Sequence, residues 1–280
     1  MSSPSPSAGR AASAQAGPEA APAPLVPEGD HDGHGHGRPI GPAAGPARGS
    51  PGHRLLDGTV QLSSASRSRR RTTGADRNTR RIVELPTPHG PARAHIRPAS
   101  GAIGSLVLGH GAGGGVEAPD LKAAVRAAAS VGLTAALIEQ PYRVAGRRSQ
   151  APAIQLDTSW VSAVRQLKDR ELPSGPLLVG GRSAGARVAC RTGAELGAHA
   201  VLCLAFPVHP PGKADDPTKS RLSELEAVTV PVLVVQGESD PFGRPPPGPG
   251  RTVVLVPGNH SLRGAAEIER IIAEWLAKQL

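Results

Sequence analysis

Residues 177–196 read LLVGGRSAGARVACRTGAEL. The opening LLVG is a short apolar run of strand character, and ARVACRTGAEL is an Ala-rich helical stretch that Gly197 closes. Between them GGRSAGA, 180–186, contains G-x-S-x-G centred on Ser183. A nucleophile elbow needs this strand–turn–helix context, because the turn holds the serine in a strained conformation where flanking side chains would collide. Gly181 and Gly185 remove those side chains, and Ala184 keeps the next position small. The helix N-terminus then presents free N–H groups where an oxyanion would develop, with Ala184 as one donor.

Working outward, strands alternate with helices on both sides of this turn. Strand patterns cover 102–108, 134–138, 177–180, 200–205, 230–236 and 252–256; helical patterns cover 120–131, 153–170, 184–196 and 267–278, with a short helix at 221–227. The strands are near-continuously apolar rather than alternating, as expected when helices cover both sheet faces. Right-handed crossovers then give an open, mostly parallel, doubly wound sheet in a single domain, placed at 82–280. Only a 24-residue stretch, Phe206–Thr229, separates the strand after the Ser183 helix from the next strand, so any cap over the site is minimal and the site open.

Chemistry-bearing residues collect at the strand ends. GHGAGGG, 109–115, follows the first of these strands, and in a hydrolase a Gly-rich HG loop supplies the second oxyanion N–H. Ala112 is the first candidate donor and Gly113 the next. The same segment lacks the G-K-[ST] of a P-loop, and a nucleotide site would leave Ser183 without a role. QGESDPFG, 236–243, places Asp240 just past a strand, and GNHSL, 258–262, does the same for His260. The order serine, acid, histidine is that of a hydrolase triad: His260 takes the Ser183 proton and Asp240 fixes the imidazole. Glu238 is the rival acid and His209 the rival base.

Six segments, LVLGHGAGGG, EQPYRVAGRR, GGRSAGARVA, LAFPVHPPGK, PVLVVQGESDPFG and GNHSL, occur in this order between residues 106 and 262. Together they resemble the α/β-hydrolase-like domain shared by a subunit of the non-specific-lethal histone-acetyltransferase complex and a testis-expressed protein, whose bacterial relatives are termed dienelactone-hydrolase-like. The resemblance covers residues 82–280. It implies an α/β-hydrolase fold with Ser183 as nucleophile, Asp240 as acid and His260 as base. It also places Tyr142 and Arg143 beside the site as substrate-binding candidates; a salt bridge from Arg143 to Asp157 or Glu139 is the alternative.

The first 81 residues read differently. Of the first sixty, 38 are Ala, Gly, Pro or Ser, and all five aromatic residues of the chain lie in its second half. Such a segment buries too little to offset its ordering entropy, so 1–81 reads as a disordered tail. Its HDGHGHG, 31–37, offers His31, His34 and His36 without fixed geometry, and no metal or cofactor is assigned. Of the formal +9 charge, +6 sits in RSRRRTTGADRNTRR, 67–81. That run lacks interleaved aromatics and a nucleic-acid-binding fold, so a solvated linker is preferred over a nucleic-acid contact. No apolar run is long enough to span a membrane, the N-terminus lacks a signal-peptide core, and Cys190 and Cys203 read as buried thiols of a cytoplasmic protein. The sequence thus points to a cofactor-free serine hydrolase acting on a small ester or thioester, the alternative being a catalytically silent interaction module.

Overall fold

The computed structural model describes residues 79–280. In chain order the elements are β1 (Arg81–Leu85), β2 (Ala92–Arg97), β3 (Gly104–Gly109), α1 (Pro119–Ser130), β4 (Leu133–Glu139), α2 (Pro141–Val144), α3 (Ala153–Arg170), β5 (Leu177–Arg182), α4 (Ala184–Leu196), β6 (Ala200–Leu204), α5 (Leu222–Glu226), β7 (Val232–Gly237), β8 (Arg251–Val256) and α6 (Ala265–Leu276). The eight strands form one sheet in the order β1-β2-β4-β3-β5-β6-β7-β8. β1 and β2 pair antiparallel, as do β2 and β4, and every other neighbour is parallel. This is the α/β-hydrolase arrangement, with the C-terminal ends of β3, β5, β6, β7 and β8 on one edge.

Apolar residues fill both faces of the central strands, and two cores result. On one face Trp160, Val164 and Leu167 of α3 and Val188 and Ala189 of α4 meet Val107, Val179 and Phe206. On the other, Leu121 and Ala124 of α1 and Ile268, Ile272 and Trp275 of α6 meet Leu106, Leu178 and Val235. Burying each such large side chain contributes about 1.5–3 kcal/mol. α4 ends as expected at Gly197, whose φ of 63° is the left-handed conformation of a helix C-terminus.

The helices at 153–170 and 184–196 lie where the sequence places them, and the last helix starts two residues earlier, after Gly264. β1, β2 and α2 are additional. RIVEL and ARAHIR are short and interrupted by charge, as suits strands on the antiparallel margin of the sheet. β8 departs from the two-sided burial expected of it: it is the opposite edge strand, and Leu255 is exposed. Between β6 and β7 the chain carries only a 3-10 turn, Pro217–Lys219, and α5, so no substantial cap covers the strand ends. The expectations for the tail, for His31, His34 and His36, and for most of the Arg-rich run lie outside the described residues. Arg80 and Arg81, at the end of that run, pair with Glu117 and Glu171.

Candidate active site

Ser183 sits between the last residue of β5 and the first of α4, with φ 52° and ψ −110°. A non-glycine residue in that region costs about 1–3 kcal/mol and persists only where its surroundings enforce it. The enforcement is visible. A Cβ added at Gly181 would lie 2.6 Å from the Gly109 carbonyl oxygen and 2.7 Å from the Gly185 carbonyl carbon. One added at Gly185 would overlap the Gly109 carbonyl. These two glycines let α4 press against the end of β3, and the Ser183 N–H donates to Leu204 O at 2.9 Å.

The expected partners converge on Ser183. His260 Nε2 is 2.9 Å from Ser183 Oγ. On the other side of the ring, Nδ1 is 2.9 Å from Asp240 Oδ2 and 3.1 Å from Oδ1. Asp240 is buried, and its carboxylate is held by two further donors: Phe242 N–H to Oδ1 at 2.9 Å and Gln236 Nε2 to Oδ2 at 2.8 Å. The same Gln236 NH2 lies 3.1 Å from the Phe206 carbonyl and 2.8 Å from that of Gly243, so its two N–H groups are shared among three acceptors and tie β7 to the loop that carries the acid. The Phe242 ring lies over the His260 ring with centroids 4.1 Å apart. The two loops are locked together, since Ser239 donates to Gly258 O from both its N–H and its Oγ, each at 3.0 Å.

The Gly-rich loop after β3 faces the same cleft. Ala112, Gly113 and Gly114 line it together with Ser183, Ala184 and His260, and it encloses about 350 Å³. Ala184 is the first residue of α4, so its N–H has no partner within the helix. Two side chains set the loop's peptide planes. Tyr142 Oη donates to Ala112 O at 2.9 Å, which turns the N–H of the same trans peptide, that of Gly113, the opposite way. His110 Nδ1 lies 2.8 Å from Gly111 O, and its Nε2 accepts the Gln140 N–H at 3.1 Å. An acceptor at Nε2 requires the proton on Nδ1, so His110 donates to Gly111 O and fixes the peptide that carries the Ala112 N–H. Burial pulls the His110 pKa down, which keeps the ring in this neutral form.

Arg182, the residue before Ser183, supports the histidine loop from below. Its Nε donates to Asp120 Oδ2 at 2.8 Å and its Nη2 to the His260 carbonyl at 2.9 Å. Asp120 belongs to the first turn of α1 and is 3 % exposed. Removing one partner of a buried pair leaves the other charge uncompensated, at a cost of about 3–5 kcal/mol. Asp120→Asn is therefore expected to lower the melting temperature by about 6–20 °C, at about 2–4 °C per kcal/mol for a domain this size. It should also lower kcat as the His260 backbone loses its anchor. Thermal melts and kcat measured side by side check this, and an unchanged melt would show that the pair contributes no stability.

Other expected residues lie elsewhere. Tyr142 is buried, its hydroxyl is spent on Ala112, and burial pushes its pKa up to about 12. It positions the loop and does not line the cleft. Arg143 does not line the cleft either; it donates to Arg147 O, while Asp157 pairs with Arg191 and Glu139 with His95. Glu238 is exposed, and His209 Nδ1 bonds Pro210 O in the loop beyond β6, so neither joins Ser183. Among the described residues no group of three His, Cys, Asp or Glu side chains gathers as a metal-ligand set.

Comparisons with known proteins agree with this architecture. Among solved structures, XC6422 from Xanthomonas campestris, described as an α/β serine hydrolase without lid, superposes with a TM-score of 0.58 at 18 % identity, covering 72 % of this chain and 95 % of that one. Est1E from Butyrivibrio proteoclasticus gives 0.56 at 14 % identity, with 71 % and 98 % covered. A dienelactone hydrolase from Anabaena variabilis gives 0.56 at 17 % identity, with 72 % and 98 % covered. No curated protein sequence matches the chain. The family model described as alpha/beta hydrolase domain matches residues 102–263, more than half of the sequence, and the chain belongs to that family.

Proposed function

We propose that the protein is a serine hydrolase that cleaves small esters or thioesters through an acyl-enzyme on Ser183. The observation that carries this reading is the continuous chain Ser183 Oγ, His260 Nε2, His260 Nδ1, Asp240 Oδ2, with 2.9 Å at each hydrogen bond, at the C-terminal edge of a parallel sheet. In this mechanism His260 takes the hydroxyl proton as Oγ attacks the substrate carbonyl, and Asp240 stabilises the imidazolium. The N–H groups of Ala184 and of Ala112 or Gly113 receive the oxyanion. The tetrahedral adduct collapses as His260 passes the proton to the departing alcohol or thiol. Water then repeats the sequence on the acyl-serine, releasing the acid and restoring the hydroxyl.

The order of the six sequence segments supports a place in the narrower group that includes the histone-acetyltransferase complex subunit. Cys190 and Cys203, both free and buried, support residence in the cytoplasm; among the described residues no helix is long and apolar enough to cross a membrane. The small connection between β6 and β7 supports short acyl chains. Activity-based labelling with a fluorophosphonate, followed by p-nitrophenyl esters of increasing length, tests the proposal. Labelling and a preference for acetyl to butyryl esters are expected. Absence of both at pH 7–9 would leave a silent module on the same fold, and a strong preference for long-chain lipids would overturn the open-site reading.

A further inference from the structure

The cleft around Ser183 is lined by three arginines, Arg182, Arg187 and Arg221, and by no carboxylate. Two of the three are neutralised from behind. Arg182 pairs with Asp120. Arg187 makes a two-pronged pair with Glu224 on α5, and Glu224 also takes Arg191, which forks onto Asp157. In that network two guanidiniums meet two carboxylates, and the charge balances. Arg221 stands outside it: among the described residues its guanidinium has no ion-pair partner and no hydrogen bond. It is only partly exposed, and its backbone is held by an N–H bond to Val208 O at 2.7 Å, immediately before α5.

An arginine so placed carries the one guanidinium charge of the cleft lining that no carboxylate pairs with. Burial and the neighbouring Arg187 both pull its pKa below the usual guanidinium value, so its charged form is under-compensated. Glu224, whose charge acts on Arg221 from across the cleft wall, is already committed to two other arginines. A planar guanidinium with free donors is matched by the two oxygens of a carboxylate.

We propose that Arg221 is a substrate-recognition residue, and that the esters or thioesters cleaved here carry a free carboxylate, as in a hemi-ester of a small dicarboxylic acid. The proposal rests on the serine-hydrolase reading and names the substrate class for that site. The carboxylate can enter on the acyl side or on the leaving alcohol; the shared requirement is an anion within a few bonds of the scissile carbonyl.

The test uses matched esters and the full chain. p-Nitrophenyl hemisuccinate and p-nitrophenyl butyrate share an acyl length and differ by carboxylate against methyl; 4-acetoxybenzoate and phenyl acetate place the same difference on the leaving side. One charged ester is expected to exceed its neutral partner about tenfold or more in kcat/KM at low salt, mainly through KM, since hydrogen bonds between charged groups are the stronger ones. Arg221→Gln should bring that ratio near unity, and Arg221→Lys, which keeps the charge without the fork, should fall between. Calorimetric titration of Ser183→Ala with succinate reads the anion site without turnover, and adding Arg221→Gln should remove the binding. Hydrolysis and labelling with charged-to-neutral ratios near one, unchanged by Arg221→Gln, would overturn the carboxylate assignment and leave the hydrolase standing. If no ester turned over and no probe bound, the hydrolase reading would fall, and Arg221-dependent succinate binding would then decide the anion site alone.

Discussion

Ser183→Ala is expected to abolish fluorophosphonate labelling and to lower ester hydrolysis by at least about three orders of magnitude, to the residual level that binding and oxyanion stabilisation alone supply. His260→Ala should fall almost as far, because an unassisted serine hydroxyl is a weak nucleophile. The two losses should not add. Each substitution breaks the same unit, so the double variant should match the worse single one. Both side chains are partly exposed at the cleft; Ser183→Ala should leave the melting temperature within a few degrees of wild type, while His260→Ala takes one donor from buried Asp240, which keeps those of Phe242 and Gln236, and should lower it somewhat further. His209→Ala, one loop away, should change little. If Ser183→Ala retained more than a tenth of wild-type turnover, the nucleophile would lie elsewhere.

The three side chains of the proposed site are legible in the sequence because each has a local signature: glycines two residues either side of Ser183, and an acid and a histidine each just past an apolar strand. The fold is legible for a related reason. Strands buried on both faces leave uninterrupted apolar runs, and α3 and α4 are long enough to show their period. β1 and β2, five and six residues interrupted by charge, carry no such mark.

The residues that hold the site in place carry no such local mark. Arg182 meets Asp120 across 62 positions and His260 across 78, and nothing in the local pattern announces either bond. Asp120 reads as an ordinary acid in the first turn of a helix, since burial is not visible from spacing. His110 reads as part of a glycine loop, while its job depends on Gln140, brought alongside only when β3 pairs with β4. Tyr142 shows the converse. Its place after a strand end suggested a substrate contact, but the short α2 turns it under the Ala112 loop. One signal was available: Gln236 ends the apolar run PVLVVQ, and a polar side chain there must find partners once buried.

That glutamine bears on the second large effect, expected for Asp240→Asn. All three groups facing the carboxylate are donors: His260 Nδ1, Phe242 N–H and Gln236 Nε2. An asparagine has only one acceptor oxygen, so its amide NH2 must face a donor wherever it is placed. If it faces Gln236 or Phe242, a buried donor is left opposed to a donor, at about 1–3 kcal/mol. If it faces His260, the ring shifts its proton to Nε2 and loses the lone pair that accepts from Ser183. Each carboxylate oxygen faces His260 Nδ1 as well as one of those two donors, so either placement opposes a donor, and only the imidazole can respond, by moving its proton. Turnover is then expected to drop by about 10⁴, the magnitude associated with a wrongly protonated histidine. Measuring kcat/KM for Asp240→Asn, with a melt to confirm folding, decides the point. A single variant within tenfold of wild type would show that Asp240 does not govern the histidine tautomer.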